Sequence, residues 1–302
     1  MQFLPGAKVI MKRYCYYNGS IIPENQAKLP LDDIGIIRGY GLFETLRTYY
    51  GQPFLVSQHF QRLQKGTDFL SIYLPFKEKE LTSILRKLLQ KNHYQEASFR
   101  IVVTGGKIKH NLNFDSQKPT VYILTRPITP YPPSYYQKGI KLITHPYQRS
   151  YATIKSTAYL EAVLLQKKLK EQKALEPLYT HNNYILECAT SNFFLFQGNR
   201  LFTPKHNILP GVTRNFVLKI AQKYFPTFEK EIKITEIQRA TECFITATNK
   251  EIMPVIQINH QKIGTGKPGP NTCFLREKFH RTILQLSSTQ PRDETLAQQK
   301  QE

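Results

Sequence analysis

Lys155 stands in Thr153-Ile154-Lys155-Ser156-Thr157, between a strand-like approach and an amphipathic helical pattern. Withdrawal from water disfavours the ammonium form, so a lysine at such a junction can present a neutral amine that attacks carbonyls. An exposed lysine preceding a helix fits the same position. Glu187 closes the apolar run Tyr184-Ile185-Leu186 and is followed by Cys188-Ala189-Thr190-Ser191-Asn192. A carboxylate ending a buried strand needs a partner, because an unpaired buried charge is costly. That partner is either the protonated ring nitrogen of a ligand or one of the many basic side chains. Leu209-Pro210-Gly211-Val212-Thr213-Arg214 reads as a turn leading into a helix N-terminus. Free N–H groups and the helix dipole attract anions there, and the Thr213 hydroxyl adds a donor. An ordinary threonine N-cap is the competing reading. Thr246-Ala247-Thr248-Asn249 offers donors for the same anion, and Arg62, in His59-Phe60-Gln61-Arg62-Leu63, offers charge.

The elements that position these groups follow from periodicity and turn chemistry. Tyr14–Tyr17 before Asn18-Gly19, and Thr45–Tyr50 before Gly51-Gln52-Pro53, read as strands entering turns. Helices are predicted over Ser57–Leu70 and Lys77–Lys91, the latter with Leu81, Ile84, Leu85 and Leu88 on one face. Strands follow at Ser98–Thr104 and Thr120–Thr125. Arg126–Tyr136 carries four prolines; with donors removed and φ fixed, it reads as an extended connector. Beyond it lie a strand (Ile140–Thr144), a helix (Ser156–Gln172), a hairpin at Asn182-Asn183 and a strand (Asn192–Phe196). A helix (Thr213–Tyr224), a strand (Phe244–Thr246) and a hairpin (Asn259–Lys262) complete the pattern. Helices and strands mix without a βαβ rhythm, so the expected class is α+β in two domains. The boundaries are a small N-terminal domain (1–126), the connector (127–136), a larger C-terminal domain (137–286) and a flexible tail (287–302).

The 302 residues, 40% hydrophobic and 21% charged, are enough for a sizeable core and exclude global disorder. A net charge of +20 raises the prospect of an anionic partner. The densest basic run, Lys167, Lys168, Lys170 and Lys173, sits at helical spacing and reads as a solvated face. Cys15, Cys188, Cys243 and Cys273 form no CxxC pair, and no HExxH occurs, so no metal site is expected. Gly264-Thr265-Gly266-Lys267 is not a phosphate loop, since Pro268 stands where Ser or Thr is required. Without a signal-like apolar core or a membrane-length run, the chain reads as soluble, in a reducing compartment such as the cytoplasm.

Taken in order, the motifs resemble the class IV aminotransferases, the fold-type IV pyridoxal-phosphate enzymes. That group includes branched-chain and D-amino-acid aminotransferases and 4-amino-4-deoxychorismate lyase. The resemblance rests on Arg38-Gly39-Tyr40-Gly41-Leu42-Phe43-Glu44-Thr45-Leu46-Arg47, His59 with Arg62-Leu63, Lys155 and its following helix, and Glu187 through Phe194. It is completed by Leu209 through Arg214 and by Glu251-Ile252-Met253-Pro254-Val255.

This resemblance implies pyridoxal 5'-phosphate as cofactor and a β-barrel-like sheet in the larger domain. Lys155 matches the lysine that forms the aldimine and later shuttles the proton. Glu187 matches the carboxylate facing the pyridine nitrogen, which keeps the ring an electron sink. Arg62, the backbone of Val212 and Thr213, and Thr248 match the phosphate set, and Leu209 matches the apolar residue against the ring. Tyr159, four residues past Lys155 where branched-chain enzymes space theirs by five, is either a contact to the phenolic oxygen or a core residue. Phe43 stands where D-amino-acid enzymes carry a substrate-contacting tyrosine and branched-chain enzymes a phenylalanine. The loop Thr104–Asn111 lacks the arginine–histidine pair of the D-amino-acid enzymes; Lys107, Lys109 and His110 are its candidates for a substrate carboxylate, and a plain solvated loop is the competing reading.

The expectation is a homodimeric aminotransferase for an amino acid and a 2-oxo acid, branched-chain-like, with an active-site loop reaching the neighbouring subunit. Membrane and nucleic-acid partners are not expected. The nearest rival is the lyase, compatible with Glu187-Cys188, although Ile263–Thr272 looks more like the aminotransferases. A nucleic-acid-binding protein on an inactive scaffold is a third reading, opposed by the presence of Lys155, Glu187 and Arg62.

Overall fold

A computed structural model describes residues 12–289. Within them the chain forms two compact units, the first comprising 12–48, 55–128 and 155–158, the second 49–54, 129–154 and 159–289.

In the first unit, β1 (Tyr14–Tyr17) turns through Asn18 and Gly19, both at positive φ, into β2 (Ser20–Pro23). A short helix α1 (Ile34–Arg38) is capped by the Asp33 carboxylate and ends on Gly39 at φ 67°, which redirects the chain into β3 (Gly41–Tyr49). With β5 (Ala97–Thr104) and β8 (Thr120–Pro127) these strands make an antiparallel sheet in the order β2-β1-β8-β5-β3. The helices α2 (Val56–Phe69) and α3 (Glu78–Lys91) match the predicted spans within a residue. On α3, Leu81, Leu85 and Leu88 are buried together. Each contributes about 1.5–3 kcal/mol by leaving water, so Leu85→Ala would strike the centre of this face. A small hairpin of β6 (Ile108–His110) and β7 (Asn113–Phe114) carries the Lys109 loop.

The second unit begins at the short segment 49–54, which includes β4 (Gln52–Pro53). Tyr49 donates to Glu251 at 2.8 Å, and Phe54 packs edge-on against Phe216 at 5.3 Å. The proline-rich stretch departs from expectation. Pro132 and Pro133 open a helix, α4 (Pro133–Lys138), because proline's missing N–H has no partner to lose in a first helical turn. The mixed barrel-like sheet contains β9 (Ile140–Pro146), β10 (Glu176–His181), β11 (Tyr184–Cys188), β12 (Asn192–Gln197), β13 (Arg200–Pro204) and β14 (Thr227–Lys230). It is completed by β15 (Ile232–Lys233), β16 (Glu242–Ala247), β17 (Glu251–Ile258) and β18 (Gln261–Lys262). Its order is β14-β13-β12-β16-β17-β9-β10-β11-β15, with β9 parallel to both β10 and β17. The β10–β11 hairpin turns at Asn182 and Asn183, both at positive φ as its sequence predicted.

Two further expectations are corrected. The helix predicted from Ser156 starts at Leu160, as α5 (Leu160–Leu164), and continues as α6 (Gln166–Glu171). Residues 155–158 pair with β3 instead and group with the first unit, not with the C-terminal domain. The helix α8 (Pro270–Thr289) enters the predicted tail; residues 290–302 lie outside the described residues, as does the N-terminal segment 1–11. The helix α7 (Val212–Ala221) starts one residue before its predicted N-terminus. Lys167, Lys168, Lys170 and Lys173 are exposed.

Candidate active site

In the first unit Lys155 is placed by backbone pairing. Its carbonyl accepts from Phe43 N at 2.9 Å, Ser156 bridges Leu42, and Thr157 N donates to Gly41 O at 2.9 Å. The Thr157 hydroxyl also donates to Gly39 O at 2.9 Å, so the lysine rides on a short strand-like graft rather than on a helix end. Its ammonium lies 4.3 Å from the centroid of the Phe43 ring, a cation–π contact. The Arg100 guanidinium, from the partner strand β5, lies 5.5 Å from the same ring.

Strand alternation carries Glu44 to the buried side of β3 with Leu42 and Leu46. There its carboxylate takes Arg62 Nε and Nη2, both at 2.7 Å, and His59 Nδ1 at 2.9 Å. His59 and Arg62, three apart on α2, share the helix face that makes this possible. Burial alone would raise the Glu44 carboxyl, but the Arg62 charge and hydrogen bonds outweigh it and bring it down to about 2. Burial lowers the His59 imidazole, so the ring is neutral and donates to Glu44. Arg62 is thus a fixed, oriented cation.

In the second unit Glu187 is buried on β11. Its Oε2 accepts from Leu209 N at 2.9 Å and from Asn192 Nδ2 at 3.3 Å, while Oε1 lies 3.3 Å from Arg149 Nε. Asn192 also donates to Leu209 O at 2.8 Å, so one amide ties the Leu209 backbone to the carboxylate. The Arg149 guanidinium lies 4.6 Å over Tyr159 and 5.6 Å over Tyr179, and donates to Ala189 O. Burial raises the Tyr159 phenol despite the opposing Arg149 charge, so it stays protonated. Tyr159 is the N-cap residue of α5.

The first turn of α7 holds Val212 and Thr213. Its N-cap, Gly211, supplies no side-chain cap, and the turn contains no acidic residue. A Cβ on Gly211 would meet Asn192 Oδ1 at 2.0 Å, so glycine lets the helix start this close to the Glu187 cluster without moving the Asn192 amide. Arg214 is engaged elsewhere, donating to Pro204 O and Glu229 at 2.8 Å. Thr248 lies in the turn between β16 and β17, and nearby Thr246 Oγ1 is buried without a partner. An uncapped helix start, an unsatisfied buried hydroxyl and a strand carboxylate are the polar set that an aromatic phosphate ligand requires. The residues present fit pyridoxal phosphate. A separate open cleft of about 180 Å³, lined by residues such as His181, Tyr184 and His206, includes none of the predicted cofactor residues.

Lys109 pairs with Asp115 at 3.1 Å on an exposed hairpin, so its charge is already engaged; His110 is exposed on the same hairpin. Glu44, Arg149 and Asn192 were not singled out from the sequence. Glu44 had a usable signal, a carboxylate in the buried register of an alternating strand, followed by His59 and Arg62. Arg149 had none, since its partners are distant along the chain.

The architecture is that of the pyridoxal-phosphate aminotransferases: the branched-chain amino acid aminotransferase of Escherichia coli superposes with a TM-score of 0.85 at 24% identity, covering 90% of this chain and 95% of that one. The family profile described as amino-transferase class IV matches residues 41–258. Over 276 residues the chain is 31% identical to a Methanocaldococcus jannaschii protein with the provisional name branched-chain-amino-acid aminotransferase, covering 87% of this chain and 94% of that one. It is also 31% identical to the D-alanine aminotransferase of Bacillus licheniformis, over 89% of this chain and 96% of the relative. The chain belongs to the class IV aminotransferase family. It is a pyridoxal-phosphate-dependent aminotransferase, and these relatives favour transfer over the lyase reaction. An inactive nucleic-acid-binding scaffold is not adopted. Among the described residues no helix is long and apolar enough to cross a membrane.

Proposed function

We propose that the enzyme moves the amino group of a branched-chain-like amino acid to a 2-oxo acid, with Lys155 as its base. The observation that carries this reading is the Phe43 ring 4.3 Å from Lys155 Nζ, an apolar wall without a phenol at the reacting amine. Bound pyridoxal phosphate supplies the electron sink for charge developing at the substrate Cα. Lys155 Nζ removes the Cα proton of the donor and returns a proton to Cα of the acceptor. Glu187 holds the proton on the ring nitrogen, with Asn192 and the Leu209 N–H orienting the carboxylate, and the Leu209 side chain packs against the ring. Arg62, the Val212 and Thr213 N–H groups and Thr248 grip the phosphate. Tyr159 is assigned to the phenolic oxygen. Arg100, 5.5 Å from the same Phe43 ring, is a cation for a substrate carboxylate, with His110, and Lys109 once it leaves Asp115, as the loop's contribution.

The working form in this reading is a homodimer. Its support is exposed apolar surface: Leu160, Val163 and Leu164 on α5 are 73%, 65% and 65% exposed, and Leu31 in the first unit is 90% exposed. Sedimentation at micromolar concentration reports a dimer if these faces are covered, and a monomer ends that part. The four cysteines are free, three of them buried, which supports a reducing compartment such as the cytoplasm.

Lys155→Ala is expected to lower turnover by on the order of 10²–10⁴-fold or more, with loss of the bound cofactor's visible band. Wild-type turnover in that variant overturns the reading. Among donors, L-leucine, L-valine and L-isoleucine are expected to bleach that band, and bleaching by D-alanine alone reassigns the substrate.

A further inference from the structure

Glu176 opens β10 and Lys250 ends the turn between β16 and β17. Lys250 Nζ lies 2.8 Å from Glu176 Oε1, and the two side chains are only 7% and 6% exposed. Burying an ion pair costs several kcal/mol per ion unless the remaining lone pairs and protons are also used. Here they are. Glu176 Oε2 accepts from Thr190 N at 2.7 Å, Glu176 Oε1 accepts from Ser191 Oγ at 2.5 Å, and Lys250 Nζ donates to Thr190 Oγ1 at 2.7 Å. The ammonium also lies 5.5 Å from the Tyr131 ring. Burial would raise the Glu176 carboxyl and lower the Lys250 amine, but their mutual attraction prevails in both, so each stays charged at neutral pH.

The polar partners on one side all belong to a single turn. Thr190 and Ser191 join β11, which carries Glu187, to β12, which begins at Asn192. Cys188 N closes that turn on Ser191 O at 2.8 Å. On the other side Lys250 N closes the turn containing Thr248 by bonding Ala247 O at 3.2 Å. Lys250 O accepts from Tyr136 Oη at 3.3 Å, which anchors that turn to α4. One buried ion pair therefore links the loop after the ring-facing acid to the loop with the phosphate-facing hydroxyl.

We propose that the Glu176–Lys250 pair is a positioning strap that fixes the spacing between Glu187 and Thr248, and through it the seat of the cofactor. Neither residue is catalytic; each acts through the Thr190–Ser191 turn. The inference rests on the assignment of Glu187 and Thr248 to the cofactor made above.

The test compares the holoenzyme with Lys250→Met, the neutral pair Glu176→Gln/Lys250→Met, and Thr190→Val. The last removes one contact to the turn and leaves the ion pair intact. Pyridoxal phosphate affinity is measured by titration of its visible band, alongside the pH midpoint of that band, kcat and KM. Lys250→Met is expected to weaken cofactor binding at least tenfold and to shift the pH midpoint. The neutral pair, with no stranded charge, is expected to melt near wild type yet keep the weakened binding and shifted midpoint. Thr190→Val is expected to weaken binding about threefold, and this fold-safe variant decides if the other two fail to fold. Wild-type affinity and midpoint in the neutral pair, or in Thr190→Val when it stands alone, overturn the strap. A Glu187→Gln control separates the two readings: if that variant also leaves affinity and midpoint unchanged, the cofactor assignment has failed instead.

Discussion

Glu44 and Glu187 are both buried strand carboxylates, 1% and 5% exposed, one in each unit. Their partners differ. Glu44 is clamped by a bidentate guanidinium at 2.7 Å and by a histidine at 2.9 Å. Glu187 is held by a backbone N–H at 2.9 Å, an amide at 3.3 Å and an arginine at 3.3 Å whose guanidinium also lies over Tyr159. Short, charge-assisted, paired hydrogen bonds neutralise a carboxylate and make it a fixture. Longer contacts, mostly from neutral donors, orient a carboxylate while leaving its charge responsive to a cation placed before it. By this contrast Glu44 is a structural fixture of the first unit, while Glu187 in the second keeps the character that its proposed role toward the cofactor needs.

Exchanging each for glutamine tests the contrast most severely. Glu44→Gln strands the Arg62 charge, whose side chain is 11% exposed, and is expected to remove about 3–5 kcal/mol of stability. Glu187→Gln keeps the shape and most donors. It also removes the charge facing Arg149, 3.3 Å away and 15% exposed, but through one longer contact, so the stability loss is expected to be smaller than for Glu44→Gln while kcat falls on the order of 10²–10³-fold, the scale of losing one preorganised electrostatic group. Calorimetry and steady-state kinetics on the two variants give two ratios of stability loss to rate loss. Equal ratios would break the comparison.

A pH titration sharpens it with a smaller effect. Glu44 falls from an ordinary 4.5 to about 2 in the folded chain, so its stabilisation is complete above about 4.5 and is lost as pH drops toward 2. The full amount is roughly 3 kcal/mol, at ~1.36 kcal/mol per pKa unit. His59 acts earlier and in the same direction. Its folded imidazole is depressed below the ordinary 6.5, so the unfolded chain takes up the proton first and stability declines as pH falls below 6.5. Urea midpoints between pH 7 and pH 3 are expected to decline in these two stages, and Glu44→Gln is expected to flatten the lower one. An unchanged lower stage in that variant would assign the acid loss elsewhere.

The same two regions show what could be read before folding. Lys155, Glu187 and Leu209 through Thr213 stand out as candidates in the sequence because each sits in a short motif whose local chemistry is informative. The α2 and α3 spans were legible because an apolar period of 3.6 reports a helix face directly. The start of α5 was not, since Ser156 and Thr157 look like a helix start but are claimed by β3 through Leu42 and Gly41 O. Tertiary pairing there overrides local preference. Arg149 and the Glu176–Lys250 pair stayed hidden for a related reason: their partners lie tens of residues away, and spacing along the chain carries no trace of them. The proline-rich stretch misled because proline breaks helices inside them but starts them well, as Pro132 and Pro133 do for α4.

A further predicted effect probes the seam within the Glu187 cluster itself. Gly211 has φ −63° and ψ 131°, values any residue adopts, so Gly211→Ala introduces no backbone strain. Its only consequence is steric: the new methyl must displace Asn192 Oδ1, now 2.0 Å from where it would sit. Asn192 can swing aside, but in doing so it releases Leu209 O and Glu187. Two hydrogen bonds at about 0.5–1.5 kcal/mol each set the upper limit of the loss. If those bonds orient the carboxylate, cofactor affinity should weaken by severalfold up to about a hundredfold while the melting temperature of the protein moves little. Asn192→Ala in the same background should then add almost nothing, because the contact is already gone. Additive losses would mean that the amide and the helix start serve the cofactor separately.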